Sequence, residues 1–343
     1  MPLAVSMGEP AGIGPDIVLN AWFIREQAAL PPFFVCSEER LLTSRVQALG
    51  LDVPVEQIDQ PDQALSVFPN ALPFIALDGK TKGTPGHPSP DDPPLILQSL
   101  EKCLELCLSG AASGLVTCPI NKAALYNDGF TYQGHTDFLA DRLHQITGTA
   151  VTELMMLCAP SLQPPLRVVP LTVHQPLRDV APSLTPDAIV TASQQLDSSL
   201  KGELGIAQPK IAVAGLNPHA GEEGALGTEE QEIIIPAIKA LKVQGLTIEG
   251  PFPADTLFHA EARQHFDAFL CMYHDQALIP IKTLDFHGGV NVTLGLPIIR
   301  TSPDHGTGFD IAGTGKARPD SFIAAVHQAN QMAENRQPQR SMP

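Results

Sequence analysis

The chain has 343 residues, and its 37 acidic and 21 basic side chains give a formal net charge of −16 at pH 7. Nucleic acids and anionic membranes bind to basic surfaces, so this charge argues against both as partners. The hydrophobic fraction of 43% is typical of a globular protein. The length predicts two domains, and the absence of any run of about 18 apolar residues predicts no membrane-spanning helix.

The first residues and the cysteines indicate the compartment. The N-terminus has neither a basic segment nor a long apolar one, so no secretory signal is expected. The six cysteines form no CxxC pair, and most of them lie inside apolar runs. This usage predicts reduced core residues in a cytoplasmic protein.

Short apolar runs alternate along the chain with longer amphipathic segments. Strands are predicted at 3–7, 33–36, 74–77, 115–117, 152–158, 166–173, 211–215 and 268–273. Helices are predicted at 14–29, 93–109, 134–147, 185–200, 229–244 and 321–334, and Thr185 before Pro186 marks one of their starts. This alternation predicts an α/β fold with a largely parallel sheet. Residues 78–94, rich in Gly and Pro, are predicted to be a linker or a mobile surface segment.

Three of the predicted strands are followed by a histidine. His174 follows the strand at 166–173, His219 follows the one at 211–215 and His274 follows the one at 268–273. Ligands of open α/β sheets bind at the carboxyl ends of the strands, so we expect these imidazoles to converge. Three imidazoles suit a catalytic metal site, with zinc as the first expectation and cobalt, nickel or iron as alternatives. The alternative interpretation is that each of the three histidines is a loop residue, or a core polar residue with its hydrogen bonds satisfied, without a role in metal binding.

Two groups of residues predict binding of an anion. His135 and Thr136 lie at the start of a predicted helix, where backbone amides hold phosphates or carboxylates. Lys282, Asn291 and Arg300 lie close together in sequence, in a chain with few basic residues. The alternatives are a plain helix start for the first pair and solvated surface residues for the second group.

Two glycine-rich loops are candidates for nucleotide binding. Residues 8–16 follow the first strand and open a helix, but they do not match GxGxxG, and Glu9 would repel a pyrophosphate. Residues 305–316 form a polar loop whose glycines let the backbone approach a flat or phosphorylated ligand. A standard Rossmann domain is therefore not expected.

Six segments together resemble the 4-hydroxythreonine-4-phosphate dehydrogenase family of vitamin B6 (pyridoxal phosphate) biosynthesis. They are residues 8–16, 134–137, 216–224, 253–258, 272–276 and 291–306, and the likeness runs from about residue 3 to about residue 330. Residues 12–16 also resemble the GDGIGPE-like loop of isocitrate and isopropylmalate dehydrogenases. Residues 305–315 resemble the HGxxxDIAGxG loop by which that class binds adenosine.

The resemblance implies two α/β/α domains with a cleft between them, isocitrate/isopropylmalate dehydrogenase-like. One domain is expected to comprise residues 1–130 and 295–343. The other, residues 131–294, is expected to carry most of the metal and substrate residues. A homodimer with a metal site shared between subunits is also implied. The implied reaction is oxidation of 4-phosphooxy-L-threonine at C3 by NAD or NADP, followed by decarboxylation to 3-amino-2-oxopropyl phosphate.

The resemblance also assigns roles to residues. The three histidines become ligands of a divalent metal, with magnesium as an alternative besides zinc and cobalt. The substrate-binding positions are His135, Thr136, Lys282, Asn291 and Arg300. The candidates for the base are Lys282, Asp255 and Asp275. The cofactor-binding positions are His305, Gly306 and Asp310, and Thr314 stands where the wider class has lysine, so the choice between NAD and NADP stays open.

Other functions fit parts of the same pattern. Related dehydrogenases act on 4-phospho-D-threonate or erythronate, or on aromatic cis-diols. The residues Lys282, Asn291 and Arg300 favour a phosphorylated substrate. A metal-dependent hydrolase would use three histidines to activate water. A non-catalytic sugar-phosphate binding protein would bind its ligand without turnover. Neither of the last two has an evident need for the loop at 305–315.

Overall fold

The computed structural model describes residues 1–121, 132, 134–149 and 151–340, apart from the side chains of His135, Thr136 and residues 337–340. Two compact units result. The first comprises Met1–Glu153 and Leu296–Ala333, and the second comprises Leu154–Gly295 and Glu334–Pro343. The domain boundaries expected after residues 130 and 294 stay predictions, and residue 130 itself lies outside the described residues.

The strands alternate with helices, as the sequence predicts. In chain order the strands are β1 (Leu3–Ser6), β2 (Phe33–Ser37), β3 (Val55–Gln57), β4 (Leu72–Ala76), β5 (Leu115–Thr117), β6 (Leu154–Ala159), β7 (Leu166–Pro170), β8 (Lys210–Ala214), β9 (Thr247–Phe252), β10 (Ala268–Cys271), β11 (Val290–Leu294) and β12 (Arg300–Pro303). The α-helices are α1 (Gly14–Phe23), α2 (Glu39–Leu49), α3 (Ala64–Val67), α4 (Pro93–Leu108), α5 (His135–Thr147), α6 (Val180–Ser183), α7 (Pro186–Gly202), α8 (Ile235–Val243), α9 (Ala260–Arg263), α10 (His274–Leu284) and α11 (Asp320–Arg340). Among the described residues, no helix combines the length and the apolar character needed to cross a bilayer.

The sheet of the first unit is parallel. Its strand order is β3, β4, β2, β1, β5 and β12, and every one of these neighbours pairs in the parallel sense. β1, β2 and β5 are buried along their whole length. Near-continuous apolar runs of this kind are typical of strands covered on both faces, which is why the sequence reveals them so clearly.

The sheet of the second unit is mixed. Its strand order is β11, β6, β7, β10, β8 and β9, with antiparallel pairing of β6 to both β11 and β7. β7, β10 and β8 are parallel neighbours. Their carboxyl ends therefore lie side by side, and these are the strands that precede the three histidines.

Several boundaries differ from the sequence predictions. The strand predicted at 166–173 ends at Pro170, and the amide of Leu171 donates the last bond to β10, to the carbonyl of Cys271. The helix predicted at 229–244 begins instead with a π-helical turn, Glu230–Ile234, followed by α8. Pro236 has no N–H to donate to the previous turn, which accounts for the wider first turn.

Candidate functional site

Two of the three predicted metal ligands lie next to each other in the second unit. The ring centroids of His174 and His274 are 6.0 Å apart. Both side chains line a cavity of about 270 Å³, to which Thr172 and Tyr273 also contribute. The parallel pairing of β7 with β10 brings their two loops together at one edge of the sheet, as expected from the rule that ligands bind there.

The imidazole of His274 is oriented by a carboxylate. Its Nδ1 lies 2.7 Å from Oδ1 of Asp275, and the histidine side chain is 37% exposed. Histidines that bind metals usually engage their second ring nitrogen in this way, which fixes the ring and leaves Nε2 for the metal. His274 is therefore held in the orientation that a metal ligand would need, and Asp275, a candidate for the base, is in contact with it.

His219 lies in a left-handed turn. The five residues from His219 to Glu223 all have positive φ, between 42° and 81°, and only Gly221 among them is a glycine. The left-handed conformation costs roughly 1–2 kcal/mol for each residue with a side chain. His174 is also left-handed, with φ 42°. Strain of this kind concentrates at functional sites and persists only where the surroundings enforce it.

The described part of one chain does not complete a metal site. It contains no group of three or more His, Cys, Asp or Glu side chains placed to hold a metal ion. The donor chemistry at His174 and His274 nevertheless fits a divalent metal, since two imidazoles face one cavity and one of them is fixed by a carboxylate. Asp255 is exposed on the short 3₁₀ turn Ala254–Thr256.

The predicted anion-binding residues lie on different elements. Lys282 is on α10, with Nζ 5.4 Å from the ring centroid of Phe286. Asn291 is on β11, and its buried Oδ1 has no hydrogen-bond partner among the described residues. A buried acceptor without a partner costs about 1–3 kcal/mol, so Asn291 is suited to accept a hydrogen bond from a ligand.

Arg300 is buried in the first unit, at the start of β12. It is 3% exposed, and its Nε and Nη2 donate to the hydroxyl of Thr117 at 3.2 and 2.7 Å. Burial lowers the pKa of Arg300 to about 10. The guanidinium is thus a desolvated cation, which has more to gain from a nearby anion than a solvated surface arginine. The side chains of His135 and Thr136 lie outside the described residues.

The two glycine-rich loops contact each other within the first unit. The amide of Ile13 donates to the carbonyl of Thr307 at 2.8 Å. A Cβ on Gly12 would lie 2.8 Å from the same carbonyl oxygen, so only glycine permits this approach. The amide of Gly313 donates to Oδ2 of Asp16 at 2.7 Å. The two loops, which lie far apart in the sequence, therefore form one surface.

Arg45 holds the first of these loops, residues 8–16, in place. Its guanidinium pairs with Asp16, and the two side chains are 2% and 0% exposed. It also donates to the carbonyls of Gly12 and Pro10 at 2.8 Å each. Glu9 is likewise buried, at 1% exposed, and burial raises its pKa to about 6. Its carboxylate is thus turned away from solvent.

The loop of residues 78–92 is anchored to the first unit rather than linking two domains. Both carboxylate oxygens of buried Asp92 accept backbone amides, those of Lys82 and Gly83, at 2.8 and 2.9 Å. The amide of Gly86 donates to the carbonyl of Ala11 at 2.9 Å. Residues on both sides of this loop belong to the first unit, so the prediction of a linker is wrong.

Comparison with known proteins identifies the family. The family described as "Pyridoxal phosphate biosynthetic protein PdxA" matches residues 29–329. The chain belongs to the PdxA family. A relative from Caulobacter vibrioides named 4-hydroxythreonine-4-phosphate dehydrogenase is 49% identical over 336 residues, covering 98% of both chains. One of the same name from Erythrobacter litoralis is 51% identical over 336 residues, covering 98% of this chain and 97% of its own.

Solved structures agree with this membership of the PdxA family. The crystal structure of 4-hydroxythreonine-4-phosphate dehydrogenase from Klebsiella pneumoniae has a TM-score of 0.81 and 34% identity, covering 97% of this chain and 99% of its own. A terephthalate 1,2-cis-dihydrodiol dehydrogenase from Burkholderia xenovorans has a TM-score of 0.63 and 25% identity, covering 96% and 98%. The α/β fold class predicted from the sequence and the resemblance to the 4-hydroxythreonine-4-phosphate dehydrogenase family are confirmed.

Some residues of the candidate site were not found from the sequence. Thr172 and Tyr273 line the histidine cavity, and Gln276 and Glu230 bond to the loops around it. The signal that could have found Glu230 is an acid just after the glycine-rich stretch that follows His219. Nothing comparable marks Thr172, because its hydroxyl donates to the carbonyl of Met272, 100 positions further along the chain.

Proposed function

We propose that this chain is a metal-dependent, NAD(P)-linked 4-hydroxythreonine-4-phosphate dehydrogenase. It would oxidise 4-phosphooxy-L-threonine at C3, after which loss of CO₂ yields 3-amino-2-oxopropyl phosphate for pyridoxal phosphate synthesis. Family membership supports the reaction class. The observation that carries the proposal is the pair of neighbouring imidazoles, His174 and His274, at one edge of the sheet, with Asp275 orienting the second.

His174, His219 and His274 are the proposed metal ligands, with zinc as the first expectation and magnesium or cobalt as alternatives. When bound there, a divalent cation supplies Lewis acidity to the substrate oxygen. Because a single described chain offers no complete ligand set, we propose that two subunits of a homodimer share the site. Exposed apolar side chains on and just after α10 support an interface on this unit, since Ile279 and Phe286 are 62% and 67% exposed.

The chain's own residues orient the substrate and move its proton. Asn291 offers an acceptor and Arg300 a cation to the substrate, and with Lys282, His135 and Thr136 they are the proposed substrate-binding positions. The base is Lys282, Asp255 or Asp275. Lys282 or Asp255 is favoured here, because the carboxylate of Asp275 already bonds to His274.

The nucleotide would bind at the contacting glycine loops of the first unit, with His305, Gly306 and Asp310 in contact with it. The direct bonds between the two loops support this placement, because they present several backbone groups on one surface. A cytoplasmic location belongs to the same proposal. It is supported by the six cysteines, all of which are free and buried.

The test is formation of reduced nicotinamide from 4-phosphooxy-L-threonine by zinc-loaded protein, with NAD and with NADP, followed by absorbance. His219→Ala is expected to lose turnover by about 10²–10³-fold or more, together with bound metal. His265→Ala replaces an exposed histidine of the same unit and is expected to retain both. Full turnover and full metal content in His219→Ala would overturn the assignment.

One second candidate is favoured by a specific observation. The structural likeness to a cis-dihydrodiol dehydrogenase makes an aromatic cis-diol an alternative substrate. 4-Phospho-D-threonate is the alternative that the sequence leaves open. Parallel assays with 4-phospho-D-threonate and with an aromatic cis-diol discriminate these readings. Turnover of either compound in the absence of turnover of the L-threonine phosphate would replace the proposed substrate but keep the reaction class. Nucleotide-independent hydrolysis would instead point to the metal-dependent hydrolase considered from the sequence.

A further inference from the structure

The ends of the strands that carry His174 and His274 are tied together through Met272. Its amide donates to Oε1 of Gln276 at 2.7 Å, and its carbonyl accepts the hydroxyl of Thr172 at 2.8 Å. Thr172 lies two residues before His174, and Met272 lies two residues before His274. The loops of these two histidines are therefore fixed to each other by side-chain bonds beyond the sheet.

Gln276 extends the same network to the third loop. Its Nε2 donates to the carbonyl of Gly215 at 2.7 Å, at the point where the chain leaves β8 towards His219. The side chain is 7% exposed, so both of its bonds form away from water, where losing a partner is costly. One amide side chain thus bridges the ends of β10 and β8.

Glu230 binds the residues that lead into the His219 loop. It is 2% exposed, and its Oε1 accepts the amides of Leu216 and Asn217 at 2.8 Å each. Its Oε2 accepts Nδ2 of Asn217 at 3.0 Å. A Cβ on Gly221 would lie 2.5 Å from this same oxygen, so the carboxylate packs directly against the left-handed turn. Three donors converge on one buried carboxylate, which compensates its desolvation.

We propose that Thr172, Gln276 and Glu230 are positioning residues that hold the three histidine loops in the geometry needed to bind the metal. None of the three is a ligand. Glu230 is the most important of them, because it enforces a backbone conformation that His219 and its neighbours would otherwise leave. This inference rests on the metal site proposed above.

The first test compares Glu230→Gln with Glu232→Gln in the full-length protein. Both substitutions remove one negative charge from the same π-helical turn, but Glu232 is exposed. In Glu230→Gln, the NH₂ group that replaces one carboxylate oxygen faces a donor that needs an acceptor. We expect Co²⁺ affinity, followed by its visible absorption bands, to fall by about 10–100-fold in Glu230→Gln and to be unchanged in Glu232→Gln.

Two further readouts separate positioning from a general loss of stability. Hydrogen exchange of the peptide that contains Leu216 and Asn217 is expected to accelerate in metal-free Glu230→Gln but not in Glu232→Gln. Ala220→Gly, added to Glu230→Gln, removes a side chain from the left-handed turn. It is expected to restore Co²⁺ affinity about 5-fold or more. A general destabilisation would instead accelerate exchange in peptides throughout the unit.

If Glu230→Gln does not fold, Thr172→Val and Gln276→Met test the same network with isosteric or similarly sized side chains. Each is expected to weaken Co²⁺ binding by about 10-fold or more in protein with an unchanged circular dichroism spectrum. If His219→Ala weakens Co²⁺ binding but none of the three positioning variants does, the positioning role is refuted while the metal site stands. If His219→Ala itself leaves binding intact, the metal site is refuted first.

Discussion

Replacement of Arg45 by methionine is expected to destabilise the first unit by about 3–5 kcal/mol, because it leaves the carboxylate of Asp16 buried without its cation. Methionine keeps the apolar stem and removes only the charge and its donors. The pair is inaccessible to solvent, with the two side chains 2% and 0% exposed. The carbonyls of Gly12 and Pro10 lose their donors in the same variant.

The chain offers a direct assay for this prediction. Trp22 is the only tryptophan, it is 2% exposed, and it lies on α1 together with Asp16. Urea unfolding followed by its fluorescence therefore reports on the unit that contains the ion pair. Arg40→Met is the matched control, since Arg40 is exposed on the same helix, α2, and a change within about 0.5 kcal/mol is expected for it.

A double-mutant cycle separates the ion pair from the backbone bonds. In an Asp16→Asn background, Arg45→Met is expected to cost less than in the wild type, because the buried negative charge is already gone. If Arg45→Met destabilises no more than Arg40→Met does, the reasoning about an uncompensated buried charge is wrong. If it costs the same in both backgrounds, the bonds to the two carbonyls account for the whole effect and Asp16 for none.

Three further predictions follow from buried groups. Burial raises the pKa of Glu9 from 4.5 to about 6, so the folded state holds the proton more tightly. The protonated form of Glu9 therefore stabilises the folded state by about 2 kcal/mol below about pH 4.5, and this stabilisation is lost as the pH rises through about 6. Glu9→Gln is expected to remove that part of the pH dependence of urea unfolding, and an unchanged slope would contradict it. Thr117→Val removes the hydroxyl that Arg300 bonds to and should cost about 1–3 kcal/mol, whereas Thr256→Val, at an exposed position, should cost almost nothing; equal losses would refute the role of the bond. Burial raises the pKa of Cys103, Cys107, Cys118 and Cys271, and that of Cys158 to about 11. A thiol reagent should therefore label none of these in the folded protein and all of them in urea, and labelling faster than unfolding would contradict this.

Elements that carry a local signal were predictable from the sequence. The strand predicted at 115–117 is β5 itself, and its short apolar run is typical of a parallel strand buried on both faces. The helix start at Thr185 is confirmed in detail, since its hydroxyl accepts the amide of Ala188 at 3.1 Å. Here a cap residue, a first-turn proline and an acid all favour the same boundary.

Elements that depend on distant partners were missed. β11 pairs antiparallel with β6, and its sequence contains Asn291 and Thr293 in place of a continuous apolar run. α10 contains Pro280, which argues against a helix interior in sequence reasoning. Both elements are formed because the surrounding sheet buries their apolar residues, and this information lies elsewhere in the chain.

The candidate site likewise contains residues that a local pattern predicts and residues whose conformation depends on distant partners. The three histidines could be selected because each one follows an apolar run. The left-handed turn at His219 could not be predicted, because its conformation depends on a carboxylate eleven positions further along. The contact between the two glycine loops is equally non-local, since it joins Ile13 to Thr307.

The left-handed turn also constrains the order in which its residues can change during evolution. While Glu230 is present, His219, Ala220, Glu222 and Glu223 tolerate a conformation that their side chains disfavour. A lineage that lost Glu230 first would lose the turn, whereas one that first acquired glycine at position 220 or 222 would keep it. Substitutions here are therefore expected to be epistatic, with glycine in the turn permitting exchange at position 230 and not the reverse.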